Sequence, residues 1–248
     1  MNSRIDSYFF PEVSAGGFSR IDGTVAFYQR VNALVTATTT MIDFGAGRGV
    51  GHLETASDYR RNLCNFKGRV AKVVGLDVDS AVFVNPSLDE ALLLDADGRA
   101  PLPSNFADII ISDCTFEHLP DPAKSSSELD RLLKPGGWIC ARTPNRYGYI
   151  ALANRLIPEA ISRAVLRSAQ PERQDQDVFP ALYRLNTRNA LRRYFPPERF
   201  DHFVYGWDPE PAYHANSRTI FRAFRAAQYL TPPPFKTVLM AFIQKKAC

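Results

Sequence analysis

The feature that most constrains the fold is a series of short apolar segments, each of which ends in a polar or glycine-rich turn. They lie at residues 40–44, 70–76, 91–94, 107–111 and 138–141, and helix-like stretches separate them. Short runs rich in Val, Ile and Leu are typical of strands that are covered on both faces. Strands that alternate with helices favour a parallel sheet with crossover connections, so we predict an α/β fold.

Three helices and a last strand are indicated by their flanking residues. A helix over residues 125–133 should stop at the Pro-Gly-Gly that follows it. Thr187 precedes residues 188–195 and is a favourable N-cap. A third helix over residues 219–229 is followed by three prolines and then by an apolar strand at 236–244.

Composition excludes several classes of protein. The chain of 248 residues is 45% hydrophobic and 23% charged, which is the balance of a soluble globular protein rather than a disordered chain. No apolar run reaches the roughly 18–20 residues that span a bilayer, and residues 1–13 lack the apolar core of a secretory signal. The four cysteines form no C-x-x-C pair, which argues against a zinc knuckle and a disulfide framework. We therefore expect a cytoplasmic protein.

Charge is unevenly distributed along the chain. Residues 1–140 hold 13 basic and 18 acidic side chains, a net charge of −5, whereas residues 141–248 hold 17 basic and 8 acidic ones, a net charge of +9. Fourteen of those 17 basic residues are arginines. An anionic partner or substrate and an ordinary solvated helical surface are the two interpretations of this asymmetry.

A glycine-rich loop follows the first strand, at Gly45, Gly47 and Gly49. Glycines here allow a ligand to approach the backbone closely. The dinucleotide fingerprint G-x-G-x-x-G would need a glycine at position 50 or 52, where the chain has Val50 and His52. The spacing therefore argues against a nicotinamide dehydrogenase.

Aspartates at the ends of three successive strands argue against a pyrophosphate ligand as well. Asp43, Asp77 and Asp97 would repel such an anion, but they suit a ligand that carries positive charge and free hydroxyls. S-adenosylmethionine is such a ligand, because it has a sulfonium, an ammonium, a ribose diol and an adenine amine.

With these residues in place, the chain resembles the class I S-adenosylmethionine-dependent methyltransferases, in the type 11 branch typified by ubiquinone-biosynthesis and many natural-product enzymes. Five motifs match in order, at residues 43–49, 75–79, 97–108, 116–119 and 132–137. The resemblance implies a Rossmann-like, mainly parallel seven-stranded sheet with helices on both faces and a helical cap insertion. It also implies S-adenosyl-L-methionine as the cofactor.

The resemblance assigns roles around that cofactor. The loop glycines would pass beneath the methionine moiety, Asp43 would reach the ammonium, and Asp77 would hold the ribose hydroxyls. Val78 would pack on the adenine and Asp97 would accept from its amine, with Asp95 as the rival for that contact. The complete set of expected cofactor-binding residues is Asp43, Gly45, Ala46, Gly47, Gly49, Asp77, Val78, Asp97, Gly98 and Ser112.

The expected catalytic residues are His118, Asp113 and Tyr147. Imidazole can accept the proton of a hydroxyl acceptor, so His118 is the candidate base, and a structural histidine bonded to the backbone is the alternative. Similar ubiquinone-pathway enzymes bind a divalent metal through a further Glu, where this chain has Cys114. We therefore predict no metal site.

The resemblance also suggests how the chain is organised. Residues 1–36 would form an N-terminal cap or lid, 37–145 the cofactor-binding core, 146–186 a helical insertion at the acceptor site, and 187–248 the elements that complete the sheet. Within the first part, the turn-rich residues 16–23 are expected to close over the donor.

The function predicted is methyl transfer by in-line displacement to a small-molecule, glycan or lipid-linked acceptor, with oxygen as the expected target atom. An RNA methyltransferase and a non-catalytic S-adenosylmethionine-binding protein remain alternatives, although no RNA-binding module is recognisable and nucleic acid is disfavoured as a partner. The oligomeric state is left as monomer or homodimer. An anionic acceptor would have candidate partners in four arginines, Arg20, Arg146, Arg184 and Arg188.

Overall fold

A computed structural model of the chain describes residues 4–49, 57–156, 180–211, 214 and 216–247. Seven strands lie within these ranges: β1 (Thr40–Phe44), β2 (Lys72–Asp77), β3 (Glu90–Leu93), β4 (Ala107–Asp113), β5 (Leu133–Pro144), β6 (Phe200–Trp207) and β7 (Val238–Lys245). They form one sheet in the order β3-β2-β1-β4-β5-β7-β6. The first five strands are parallel, and β7 runs antiparallel to both of its neighbours. This confirms the predicted Rossmann-like, mainly parallel seven-stranded sheet.

The helices of the described residues are α1 (Arg4–Phe9), α2 (Gly23–Asn32), α3 (Asp58–Cys64), α4 (Pro122–Leu132), α5 (Tyr149–Leu156), α6 (Arg188–Tyr194) and α7 (Arg218–Leu230). Short 3-10 turns occur at Pro11–Ala15, Ser80–Val84, Phe116–His118 and Pro233–Phe235. The predicted cap is present, because the Thr187 hydroxyl accepts from Ala190 N at 3.0 Å. Within this part of the chain, no helix combines the length and the apolar character needed to cross a membrane.

The strand side chains alternate between two apolar layers, one on each face of the sheet. Ile42, Ile110 and Ile139 belong to the layer that includes the buried leucines of α4 and α6. Their sequence neighbours, such as Met41 and Cys140, belong to the opposite layer with the aromatic side chains of α2. Because both faces are covered, the strands read as continuous apolar runs in the sequence.

The second half of the chain differs from the sequence prediction in two places. The position of strand β6 within residues 187–248 was not predicted, and β5 begins at Leu133 rather than at residue 138, so α4 ends one residue earlier than expected. Part of the predicted insertion is helix α5, and residues 157–179 lie outside the described residues.

Candidate functional site

The loop after β1 lies at the carboxyl end of the sheet and depends on glycine at specific positions. Gly45, Gly47 and Gly49 have φ angles of 78°, 49° and 72°, which favour glycine. A Cβ atom on Gly45 would lie 2.2 Å from the Thr115 hydroxyl oxygen, so the loop approaches the segment after β4 closely. Gly45 N also donates to the Leu76 carbonyl at 2.8 Å, which attaches the loop to β2.

Asp77, the last residue of β2, connects the glycine loop to the next turn. Its Oδ2 atom accepts from Gly47 N at 2.8 Å, and its Oδ1 atom accepts from Asp79 N at 3.0 Å. A carboxylate has about four lone-pair sites, so these two bonds leave capacity for further donors. Asp79 itself caps the following 3-10 turn through Ala81 N at 2.8 Å. Asp77 is thus held in a fixed orientation that still allows it to accept from a ligand.

Asn85, which follows the 3-10 turn after β2, bonds to the same loop and was missed by the sequence analysis. Its buried amide donates to the Ala46 carbonyl at 3.0 Å and to the Gly47 carbonyl at 3.2 Å. A Cβ atom on Gly49 would lie 2.3 Å from its Oδ1 atom. No motif marks this position, because the contact joins residues that are far apart in the sequence.

Asp43 and Asp113 bring further negative charge to this edge of the sheet. Burial, followed by the neighbouring Asp113 and Asp77 carboxylates, raises the pKa of Asp43 to about 7. Asp113 is held in a bidentate ion pair with Arg142, with both N···O distances at 2.7 Å, and Arg142 also donates to the Thr24 hydroxyl at 2.8 Å. The sequence placed Asp113 here but gave no role to Arg142, which lies directly across the β4–β5 ladder from it.

The expected adenine side lies at the end of β3. Val78 is 65% exposed, and Gly98 has a φ of 78°. Asp95 Oδ1 accepts from the backbone of Asp97 and Arg99, both at 2.9 Å, so it shapes the turn. Asp97 is exposed, and its bond from Lys124 Nζ at 2.9 Å lowers its pKa.

Ser112 is nearly fully buried in β4, next to Asp113. Within the described residues, its hydroxyl oxygen has no hydrogen-bond partner. A buried hydroxyl without a partner is costly, so a ligand that bonds to it would gain from the contact.

His118 ends the short 3-10 turn after β4 and directly follows the buried Glu117. Its Nδ1 atom lies 3.1 Å from the Pro180 carbonyl oxygen, which can only accept, so Nδ1 carries the proton and Nε2 the lone pair of the neutral ring. Nε2 lies 3.9 Å from Glu117 Oε1. Burial raises the pKa of Glu117 to about 7, and Thr143 donates to its other oxygen at 2.8 Å.

Tyr147, the third expected catalytic residue, lies in a different setting. Its ring is 50% exposed and packs edge-on against Phe235 at a centroid distance of 6.3 Å. Its backbone N donates to Asn145 Oδ1 at 3.1 Å.

The N-terminal segment covers a cavity of about 250 Å³ near the end of β5. Ser57 donates to the Gly16 carbonyl at 2.6 Å, and Phe18 stacks on Tyr59 with ring centroids 5.1 Å apart, which fixes the segment on α3. The charged residues in the described lining of the cavity are Asp6, Asp22, Arg60, Arg142 and Glu210. The described lining of this cavity includes none of the arginines considered for an anionic acceptor, namely Arg20, Arg146, Arg184 and Arg188.

Comparison with known proteins assigns the central part of the chain to a family. Residues 42–141 match the family described as "Methyltransferase domain". This part of the chain belongs to that family. The matched range contains the glycine loop, Asp77, Asp97 and His118, and it ends one residue before Arg142.

A curated relative supports the same assignment. A probable S-adenosylmethionine-dependent methyltransferase from Mycolicibacterium smegmatis is 32% identical over 124 residues, which is 48% of this chain and 43% of the relative. The match therefore spans less than half the length of that relative. Together with the family match, it confirms the predicted resemblance to the type 11 class I methyltransferases.

Solved structures agree on the fold. An S-adenosylmethionine-dependent methyltransferase from Archaeoglobus fulgidus superposes with a TM-score of 0.53 at 19% identity, over 97% of this chain and 100% of that one. One from Methanosarcina mazei gives 0.52 at 16% identity, over 88% and 98% of the two chains. At these identities the likeness shows the shared fold alone.

Proposed function

We propose that the protein transfers a methyl group from S-adenosylmethionine to an oxygen atom of a small-molecule, glycan or lipid-linked acceptor. The observation that carries this proposal is the arrangement of Asp77, which bonds the glycine loop and keeps acceptor capacity at the carboxyl edge of the sheet. When bound, the cofactor supplies an activated methyl group on a sulfonium.

The residues of this edge fit that cofactor. Asp77 accepts from the ribose hydroxyls with the lone pairs that its backbone bonds leave. Asp43 adds a carboxylate for the ammonium, and the Ser112 hydroxyl offers a further polar contact. The glycine loop presents bare backbone, and Val78 exposes an apolar surface for the adenine.

On the adenine side, the bonding pattern favours Asp97 over Asp95 as the acceptor from the amine. One oxygen of Asp95 already accepts two backbone N–H groups of its own turn, whereas the Asp97 carboxylate is exposed and bonded by a flexible lysine. Gly98 keeps the space beside it open.

His118 is the residue that we propose as the general base, and it is the reason for preferring an oxygen acceptor. A neutral hydroxyl must lose a proton as it attacks, and the neutral His118 ring carries its lone pair on Nε2. The Glu117 carboxylate, once ionised, stabilises the protonated ring from 3.9 Å. Asp113 acts indirectly, by holding Arg142, and Tyr147 is assigned to the acceptor side.

The lid supports this chemistry by excluding water from the carboxyl edge. Trp207 Nε1, at the end of β6, donates to the Ile21 carbonyl at 3.1 Å, and Ser19 donates to Glu210 in the segment that follows, so both ends of residues 19–21 are bound. A shielded site strengthens the electrostatic contacts that align the reacting groups.

The test is a methyl-transfer assay with labelled donor against lipid, glycan, nucleic-acid and small-molecule fractions of cell extracts. We expect label in one of the first two fractions or in small molecules. His118→Ala should lower turnover by about 100-fold or more while keeping donor affinity. Label confined to nucleic acid would contradict the proposed acceptor class.

His202→Ala is the matched control for the histidine. Its ring also bonds a backbone carbonyl, that of Phe195 at 2.7 Å, but it lies on β6 away from the glycine loop. If His118 were only structural, both variants would keep their turnover once folded, and the base role would be wrong.

A further inference from the structure

One surface of the protein lies outside the site described above, on the exposed side of α7. This helix contains three arginines and no acidic residue. Arg218, Arg222, Arg225 and Tyr229 are spaced by four, three and four residues, so they form one stripe along the helix. The stripe is about 16 Å long, from a rise of 1.5 Å per residue.

Aromatic rings, rather than carboxylates, hold these arginines in place. The Arg218 guanidinium carbon lies 4.0 Å from the Tyr8 ring centroid. Arg222 and Arg225 lie 5.7 and 5.8 Å from the rings of the next two residues, Phe9 and Phe10. A ring attracts a cation without cancelling its formal charge, so the stripe is both ordered and fully charged.

No ion pair reduces that charge within the part of the chain that the structure describes. The polar bonds of the stripe are those of Arg222 to the Tyr8 hydroxyl at 3.2 Å and of Arg225 to Gln228 Oε1 at 3.0 Å, and both acceptors are neutral. Arg131 on α4, by contrast, is paired with the Glu128 carboxylate. The stripe is therefore a preorganised site for an anionic partner.

Exposed apolar side chains continue from the end of the stripe. Tyr229 is 88% exposed and Leu230 is 77% exposed, and they are followed by Phe235, which is 50% exposed. Phe235 packs against Tyr147, on the loop that we assign to the acceptor side. A basic flank beside exposed apolar residues is the composition of a helix that lies on a membrane surface.

We infer that this α7 stripe and the apolar residues beyond it dock the protein onto an anionic phospholipid surface. Charge complementarity selects an anionic occupant, and the exposed Leu230 and Tyr229 select lipid over nucleic acid. A single-stranded nucleic acid would stack its bases on aromatic faces along the arginines, but there the rings of Tyr8, Phe9 and Phe10 are already covered by guanidinium groups, and the exposed Tyr229 lies only at the end of the stripe. This inference does not depend on which acceptor is methylated.

The test is co-sedimentation of the full chain with vesicles of phosphatidylcholine alone and of phosphatidylcholine mixed with phosphatidylglycerol. We expect binding to the anionic vesicles only, weakened by salt. The double variant R218Q/R222Q should reduce the partition coefficient about thirtyfold, from the contribution of two arginines near an anionic surface. R218K/R222K keeps the charge and should retain most of the binding.

R192Q/R193Q is the matched control, because it removes the same charge from the exposed side of α6. Equal losses in the control and the stripe variant would overturn the inference in favour of a general net-charge effect. Substituting Tyr229 and Leu230 by serine should further weaken binding that remains at high salt. Stripe-dependent binding to single-stranded RNA, with none to vesicles, would also overturn it. Thermal unfolding and donor affinity verify that each variant is folded.

Discussion

The affinity for S-adenosylmethionine should fall as the pH is lowered from 7 to 5, because Asp43 must be ionised to meet a cationic ligand. Burial, with the Asp113 and Asp77 carboxylates nearby, raises the pKa of Asp43 to about 7 in the free protein. At pH 5 this carboxyl is therefore neutral and must release a proton when the ammonium binds. The ammonium itself stays charged over this range, since α-amino groups titrate near 7.7–8.0.

The size of the effect follows from linkage. An opposite charge within a few ångströms lowers a carboxyl pKa by about 1–3 units. With a shift of about 2 units for Asp43 in the complex, the affinity at pH 5 is about 25-fold weaker than at pH 7. Because binding releases the proton, affinity rises with pH and levels off as the pH passes the pKa of the free protein.

Isothermal titration calorimetry at pH 5, 6 and 7 measures this dependence, and buffers of different ionisation enthalpy count the proton released. Asp43→Asn is the control, since the amide cannot titrate; its affinity should be weaker at pH 7 and nearly independent of pH. A flat profile for the unaltered protein, or the same slope in the variant, would refute the role of Asp43.

Three further predictions concern stability. Gly45→Ala should lower the free energy of unfolding by about 2–3 kcal/mol, from its positive φ and the clash with Thr115, and Thr115→Gly should restore part of it in urea unfolding. Asp113→Asn leaves Arg142 buried without its carboxylate and should lower the free energy of unfolding by about 3–5 kcal/mol. Replacing both residues by apolar ones should lower it by less, and additive losses in a double-mutant cycle would contradict a coupled pair. Because the pKa of Glu117 is raised to about 7, the native state binds more protons than the unfolded chain, so the free energy of unfolding falls as the pH rises from about 4.5 to 7. Glu117→Gln should remove about 3 kcal/mol of that fall, as measured by thermal melting at several pH values. An unchanged dependence of stability on pH in the variant would contradict this role of Glu117.

The central strands were predictable because each is a buried apolar run that ends at a turn. The position of β6 was not, since among the described strands it pairs only with β7, and its residues 200–207 mix exposed polar and aromatic side chains. The start of β5 was also missed, because Pro135 and Gly136 argue against a strand. The ladder accommodates them through a register shift, after which Trp138 pairs with Ile109.

Some residues of the site could likewise be predicted from the local sequence, whereas others depend on contacts between distant parts of the chain. The glycine loop and Asp77 follow consecutive strands, so the topology of a parallel sheet brings them to one edge. Asn85 and Arg142 act through contacts across the fold, and nothing in their local sequence marks them. Arg142 becomes predictable once the β4–β5 register is known, because that register places it opposite Asp113.

The most direct test of the account is the dissociation constant of S-adenosylmethionine for the unaltered protein and for Asp77→Ala, measured beside NAD as the competing nucleotide. Loss of the hydrogen bonds that the Asp77 carboxylate accepts from the donor should weaken donor binding by about 1.5–3 kcal/mol. NAD should bind neither the unaltered protein nor the variant. An unchanged constant in the variant, or tight binding of NAD with none of S-adenosylmethionine, would contradict the assignment of this sheet edge as the donor site.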